Sequence, residues 1–180
     1  MNRSELERSL EGLHAQSWGW ALACCGRDRE LAEEALQSAY LRILSGAARF
    51  DDRSAFRSWV FGVIRRTAWE EMRWRRLLRT REPTDDEATD LAIDPAPGAD
   101  AAAEQAQLRE TLVAALAALS VRQREVLELV FYHDMTVEEA AGVMAVSVGS
   151  ARTHYARGKQ ALAATLAALR DRPAMREGAR

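Results

Sequence analysis

Cysteine is scarce in these 180 residues: it occurs only twice, as the adjacent pair Cys24-Cys25. No CxxC and no Cys/His cluster at metal-ligand spacing exists, and His14, His133 and His154 are scattered. A disulfide framework and a zinc site are thereby excluded, and both cysteines read as buried, reduced thiols rather than redox sensors. No apolar run approaches the roughly 18 residues of a membrane span. The opening MNRSELERSLEG lacks a signal-peptide pattern. A cytoplasmic protein with no membrane insertion of its own is expected. There is no GxxxxGK phosphate loop and no nucleophile–base pair, so neither enzymatic activity nor a cofactor is expected. No segment alternates as a half-buried strand does, and no internal repeat is present.

A strong net charge is also missing. The formal balance is −2 and the isoelectric point lies near 6.0. The distribution says more than the sum. Between Arg65 and Arg81 seven arginines stand against two glutamates. Between Glu82 and Gln107 there are eight acids and no base, and from Val148 to Arg180 seven bases stand against two acids. Two basic segments flank an acidic one.

What is present is helical signal. Ser4-Glu5-Leu6-Glu7, Ser120-Val121-Arg122-Gln123 and Thr136-Val137-Glu138-Glu139 fit the capping box, in which a hydroxyl and a residue three positions on satisfy each other's amides. The first starts a helix to about Gly26. Asp28 caps a second, with an apolar stripe through Leu31, Ala35, Leu36, Ala39, Tyr40, Ile43 and Leu44. After a break at residues 48–53, Asp52 or Ser54 caps a third, which carries Phe56, Trp59, Val60, Val63 and Ile64 and ends at Pro83. Residues 82–103 hold three prolines and little periodicity, as a flexible acidic linker does. An alanine- and leucine-rich helix follows from about Ala101 to Leu119.

The stretch from Ser120 to Leu162 carries the sharpest motif. Ser147 is a further N-cap, and Ala145-Val146-Ser147 is the short connection of a helix-turn-helix. Buried faces are expected at Val126, Leu129 and Val130, at Val137, Ala140, Ala141 and Met144, and at Val148, Ala151 and Tyr155. Ser150, Thr153, His154 and Arg157 then share the opposite face, with side chains suited to base edges and phosphates. A small bundle with a merely solvated polar face is the alternative. The fold class expected is all-α, with two small helical domains on an acidic tether: residues 1–81 and 104–172, joined by 82–103 and followed by a disordered tail, 173–180.

Two long motifs resemble the extracytoplasmic-function sigma factors, the small promoter-specificity subunits of bacterial RNA polymerase. DRELAEEALQSAYLRIL with FRSWVFGVIRRTAWEEMRWRR is similar to their second conserved region. LSVRQREVLELVFYHDMTVEEAAGVMAVSVGSARTHYARGKQAL is similar to their fourth. The second motif alone also resembles response-regulator DNA-binding domains; the ordered pair is far more specific.

The resemblance implies three surfaces. Glu33, Glu34, Gln37, Tyr40 and Arg42 would meet core RNA polymerase. Phe50, Asp51, Asp52, Arg53 and Ser54 would form a loop that captures a flipped −10 base, walled by Arg65, Arg66, Trp69 and Arg73. Phe50 could equally pin that loop to the core, and Trp59 matches a packing position. Ser150, Arg152, Thr153, His154 and Arg157, with Lys159 farther out, would contact −35 promoter DNA. An anti-sigma factor is an implied partner. Three residues depart from the family pattern: Arg66 replaces a common Asn, His154 a common Arg, and Ala145 the usual turn Gly. A left-handed Ala145 would carry strain of about 1 kcal/mol. Competing readings are a stand-alone helix-turn-helix regulator and a protein-binding adaptor without DNA recognition.

Overall fold

The computed structural model describes residues 2–79, 115, 116 and 118–170. The expected linker 82–103, nearly all of the helix expected from Ala101 to Leu119 and the tail 173–180 fall outside these. Among the described residues there are six long helices and no strand: α1 (Arg3–Cys24), α2 (Arg29–Leu44), α3 (Phe56–Arg79), α4 (Val121–Phe131), α5 (Val137–Met144) and α6 (Val148–Arg170).

Local chemistry sets most helix starts. Asp28 accepts from the Leu31 amide. Ser120 with Gln123 and Thr136 with Glu139 form complete capping boxes. The Ser147 hydroxyl accepts from the Ser150 amide at 3.1 Å. Two expected caps are corrected. The first box lies two residues earlier, between Asn2 and Glu5, because asparagine offers the same acceptor as serine. Neither Asp52 nor Ser54 caps α3: the helix starts at Phe56, and the Ser54 hydroxyl donates to the Ala55 carbonyl. Asp52 instead sits in the left-handed region, at φ 57°.

Helices α1–α3 pack mutually, as do α4–α6, and the two halves share one core. Trp20, Phe61 and Ile64 from the first half and Val126, Leu129, Val143 and Met144 from the second are all buried in it. Trp20 donates to the Phe61 carbonyl at 3.0 Å and stacks on the Phe61 ring, with centroids 5.9 Å apart and planes 10° from parallel. His133, in the loop after α4, sets its ring edge-on to both. The two groups of helices are therefore docked face to face. Close approach needs small residues. A Cβ on Gly158 of α6 would lie 3.1 Å from Leu127 Cδ1 and 3.3 Å from Gln123 Cβ, so a larger residue would force α4 side chains to shift by a few tenths of an ångström.

One residue of the expected core is not there. Val148 is 37% exposed, because the first turn of α6 stands clear of its neighbours and residues 147–150 are all solvent-facing.

The turn between α5 and α6 does use the left-handed conformation, with Ala145 at φ 53°, ψ 47°. Its Cβ is disfavoured there. Ala145→Gly is expected to stabilise the protein by about 1 kcal/mol, read as a higher urea midpoint at unchanged m-value. A lower midpoint would mean that the Cβ makes a contact worth more than the strain.

Candidate nucleic-acid interface

The helix-turn-helix is built by α5, the Ala145-Val146-Ser147 turn and α6. Ala151 is fully buried and turns the opposite side of α6 outward. Ser150, Arg152, Thr153 and Arg157 are exposed, and His154 is half-buried. Several are oriented internally. Thr153 Oγ1 donates to the Gly149 carbonyl at 2.9 Å. Ser147 Oγ donates to Ser150 Oγ. Arg152 Nη2 donates to Glu138 Oε1 at 2.6 Å, which holds the Glu138 carboxyl below its usual range. Lys159 lies over the Tyr155 ring, 5.1 Å from its centroid. A row of hydroxyls and guanidiniums on one exposed helical face matches what duplex recognition in a major groove requires.

The second surface is a cleft of about 1040 Å³ running along α3. Arg49, Arg53, Ser54, Trp59, Arg65, Arg66, Trp69 and Arg73 line it, and Arg42 lies at its margin. Phe50 is absent from this lining. It packs edge-on against Phe56 and at 5.3 Å from Trp59, so in this arrangement it pins the loop. Asp51 pairs with Arg53 at 3.2 Å on an exposed tip. Of the residues grouped from the sequence, Arg53, Ser54, Arg65, Arg66, Trp69 and Arg73 are thus brought together, whereas Phe50, Asp51 and Asp52 stand outside the cleft.

Arg65 is not free in that wall. Its Nε and Nη2 donate to Glu125 Oε1 and Oε2 at 2.8 and 3.2 Å, with side-chain exposures of only 8% and 5%. Its guanidinium lies 4.3 Å from the Trp69 ring centroid, and that of Arg122 lies 4.7 Å from the same ring. Arg122 also approaches Glu125 to 3.6 Å and donates to the Met144 carbonyl. The far wall of the cleft comes from the other half: Glu138, Glu139, Gly142, Val143 and Ala145.

On α2, Glu33, Glu34 and Gln37 are exposed, while Tyr40 and Arg42 are half-buried. Glu34 is held by Arg75 at 2.7 Å, and Arg42 pairs with Glu70. Tyr40 Oη lies 3.4 Å from His14 Nδ1, and burial raises its hydroxyl pKa.

Sequence reasoning missed Glu125 and His133. Glu125 stands four residues before Leu129 and next to Val126, hence on the buried stripe of α4, a placement that spacing alone could have flagged. Both cysteines are buried and reduced. Burial pushes the Cys24 thiol well up and that of Cys25 to about 12, which leaves little thiolate for redox chemistry. Among the described residues no His/Cys/Asp/Glu group could hold a metal ion, and no helix is long and apolar enough to cross a membrane.

An all-α chain with an exposed polar face on α6 and an arginine-lined cleft along α3 carries two surfaces whose chemistry suits nucleic acid. Comparison with known proteins narrows this. Residues 11–80 match the family model "Sigma-70 region 2" and residues 109–162 match "Sigma-70, region 4". The chain is 26% identical over 147 residues to the ECF RNA polymerase sigma factor SigX of Bacillus subtilis, covering 81% of this chain and 75% of that protein. It is 28% identical over 149 residues to the RNA polymerase sigma factor CarQ of Myxococcus xanthus, covering 83% and 82%. Its fold matches the sigma factor RpoE of Bartonella quintana, solved with the anti-sigma factor NepR, at TM-score 0.71 and 21% identity over 91% of this chain and 97% of that one. It also matches CnrH, solved with the cytosolic domain of CnrY, at TM-score 0.61 and 21% identity over 93% and 90%. The chain belongs to the extracytoplasmic-function sigma factors of the sigma-70 family. Its role is in transcription initiation and is not enzymatic.

His133 offers a direct test of the packed core. It is 2% exposed, neither ring nitrogen has a hydrogen-bond partner, and burial with Arg57 nearby lowers its pKa from 6.5 to about 4, against a smaller upward pull from Asp134. The packed protein therefore resists a proton that the unfolded chain accepts. Stability is full above pH 6.5 and falls as pH drops toward 4. Relative to His133→Phe, the wild type should lose melting temperature progressively across that window. Glu128, whose carboxyl burial raises, acts with the opposite sign but is common to both proteins. Parallel melting profiles would show that a neutral His133 does not support the fold.

Proposed function

We propose that this sigma factor joins core RNA polymerase through the exposed face of α2, at Glu33, Glu34, Gln37, Tyr40 and Arg42. Residues 1–81 act as the −10 domain and residues 104–172 as the −35 domain, with 82–103 as the tether. The loop from Phe50 to Ser54 and the arginine-rich wall of Arg65, Arg66, Trp69 and Arg73 hold the unpaired −10 strand. Aromatic faces and guanidiniums suit exposed bases and their phosphates, and trapping them offsets part of the cost of strand separation. Ser150, Arg152, Thr153, His154 and Arg157 read the −35 duplex, with Lys159 on its backbone. The protein works in the cytoplasm.

The observation that carries this reading is the occurrence of both surfaces, in family order, on one chain. Solved structures of similar fold contain anti-sigma partners, and we extend that form of control to this protein: an anti-sigma factor would hold it from polymerase until released.

Run-off transcription with core polymerase and a promoter pool tests the function. Transcripts starting downstream of a shared two-element motif are expected. Arg157→Ala should reduce initiation on a −35-dependent promoter by on the order of tenfold, since a good base contact is worth about 1–3 kcal/mol. Unchanged activity in Arg152→Ala and Arg157→Ala would instead favour an adaptor. Binding to a palindromic duplex without polymerase would favour a stand-alone regulator.

A further inference from the structure

We propose that Glu138 is a positioning residue for DNA reading: it holds the Arg152 guanidinium in the posture that meets a guanine of the −35 duplex. The inference rests on the reading of α6 as the −35 surface. Glu138 touches no base in this scheme and acts through Arg152.

The turn between α5 and α6 creates the contact. Two acids stand in the first turn of α5, and they have different tasks. Glu139 is taken by its own helix start, where its Oε2 accepts from the Thr136 amide at 2.8 Å and from the Thr136 hydroxyl at 3.0 Å. Glu138 is not part of that box. It reaches across to α6, fourteen positions on, where its Oε1 accepts from Arg152 Nη2 at 2.6 Å.

That bond is single. It occupies one N–H of a guanidinium that carries five, and Arg152 has no other hydrogen-bond partner among the described residues. A guanine edge takes two donors, toward O6 and N7, and these remain available. The neighbouring side chains are set differently. Thr153 donates back to the Gly149 carbonyl and Ser150 is tied to Ser147. Arg157 makes no hydrogen bond or ion pair with any described residue. Of the two arginines on this face, only Arg152 is aimed before DNA arrives.

An exposed pair of this kind adds little to folding, since the two side chains are 68% and 53% accessible and water competes with the contact. Its effect lies in direction and in choice of partner. A mobile arginine gives up rotamer freedom when it binds, whereas a braced one has already given it up. The adjacent carboxylate also repels phosphate, which leaves the uncharged guanine edge as the better acceptor for Arg152. Discrimination rises while affinity for arbitrary sequence falls.

Holoenzyme assembled from core polymerase and the full-length chain, given promoters randomised in both elements, tests this through the sequences of its transcribed templates. The wild type should prefer guanine at one −35 position, and Arg152→Ala should flatten that position. Glu138→Ala should lower the same preference about tenfold and leave the other positions as they are. Combined with Arg152→Ala it should add nothing further. Glu138→Gln keeps an oxygen that accepts from Nη2, so it should retain most of the preference; this rescue separates bracing from a charge effect. An unchanged guanine preference in Glu138→Ala, a uniform loss across all positions, or a change confined to the −10 element, whose cleft Glu138 also lines, would overturn the proposal. So would a wild type with no guanine position sensitive to Arg152. If the wild-type holoenzyme failed to initiate, the sigma reading would fall, and selection of the same duplex pool by the full-length chain alone would decide the role of Glu138.

Discussion

The packing of this chain depends on the indole of Trp20. It is fully buried, hydrogen-bonded to the Phe61 carbonyl and stacked on the Phe61 ring, and it meets His133 edge-on. One side chain of α1 thereby fixes α3 and receives the loop between α4 and α5. Burying an aromatic of this size removes on the order of 200 Å² from water, and its N–H would be costly to leave without an acceptor. The Phe61 carbonyl supplies that acceptor. With Trp20 set, Val60, Phe61 and Ile64 face the core, and Trp69 is carried toward Arg122 two turns farther along α3.

From that constraint follows the charge geography. α3 is apolar on one face and arginine-rich on the other, and its register places Arg65 at the seam between the two. Seen from α3 alone, Arg65 is the innermost guanidinium of an arginine-lined cleft; seen from α4, it is the counter-ion that makes a buried Glu125 tolerable. Both descriptions hold because one residue sits where two surfaces meet. Arg152 repeats the theme with lower stakes: its ion pair with Glu138 is exposed on both sides, so water competes with it continuously. Burial, rather than the presence of a pair, decides how costly it is to lose one partner.

What could be read from the chain was whatever is decided locally. Asp28, Ser120, Thr136 and Ser147 cap their helices because a cap needs only a side chain and an amide two or three residues on. The left-handed Ala145 was legible only through the family resemblance, which puts a turn glycine at that position. Asn2 and Val148 mark the limits of that logic. Asparagine competes with serine for the same role, and a correct apolar spacing does not guarantee that a neighbour exists to cover the first turn of α6. The polar face of α6 was legible from periodicity: Ser150, Thr153 and Arg157 are exposed, and His154 is half-buried. Arg65 and Glu125 could not be paired in this way, because sixty positions separate them, and no periodicity in either helix refers to the other. Spacing could flag Glu125 as lying on the buried stripe of α4, but not which cation would meet it there.

The docking itself has a physical reason. Three short helices make a core of modest size, and small domains bury a smaller fraction of their surface than large ones. Each half here keeps an apolar face that it cannot cover alone: Phe61 and Ile64 on one, Val126, Leu129 and Val143 on the other. Packing these faces together removes apolar area from water with no need of a partner. The same faces are then unavailable to anything else.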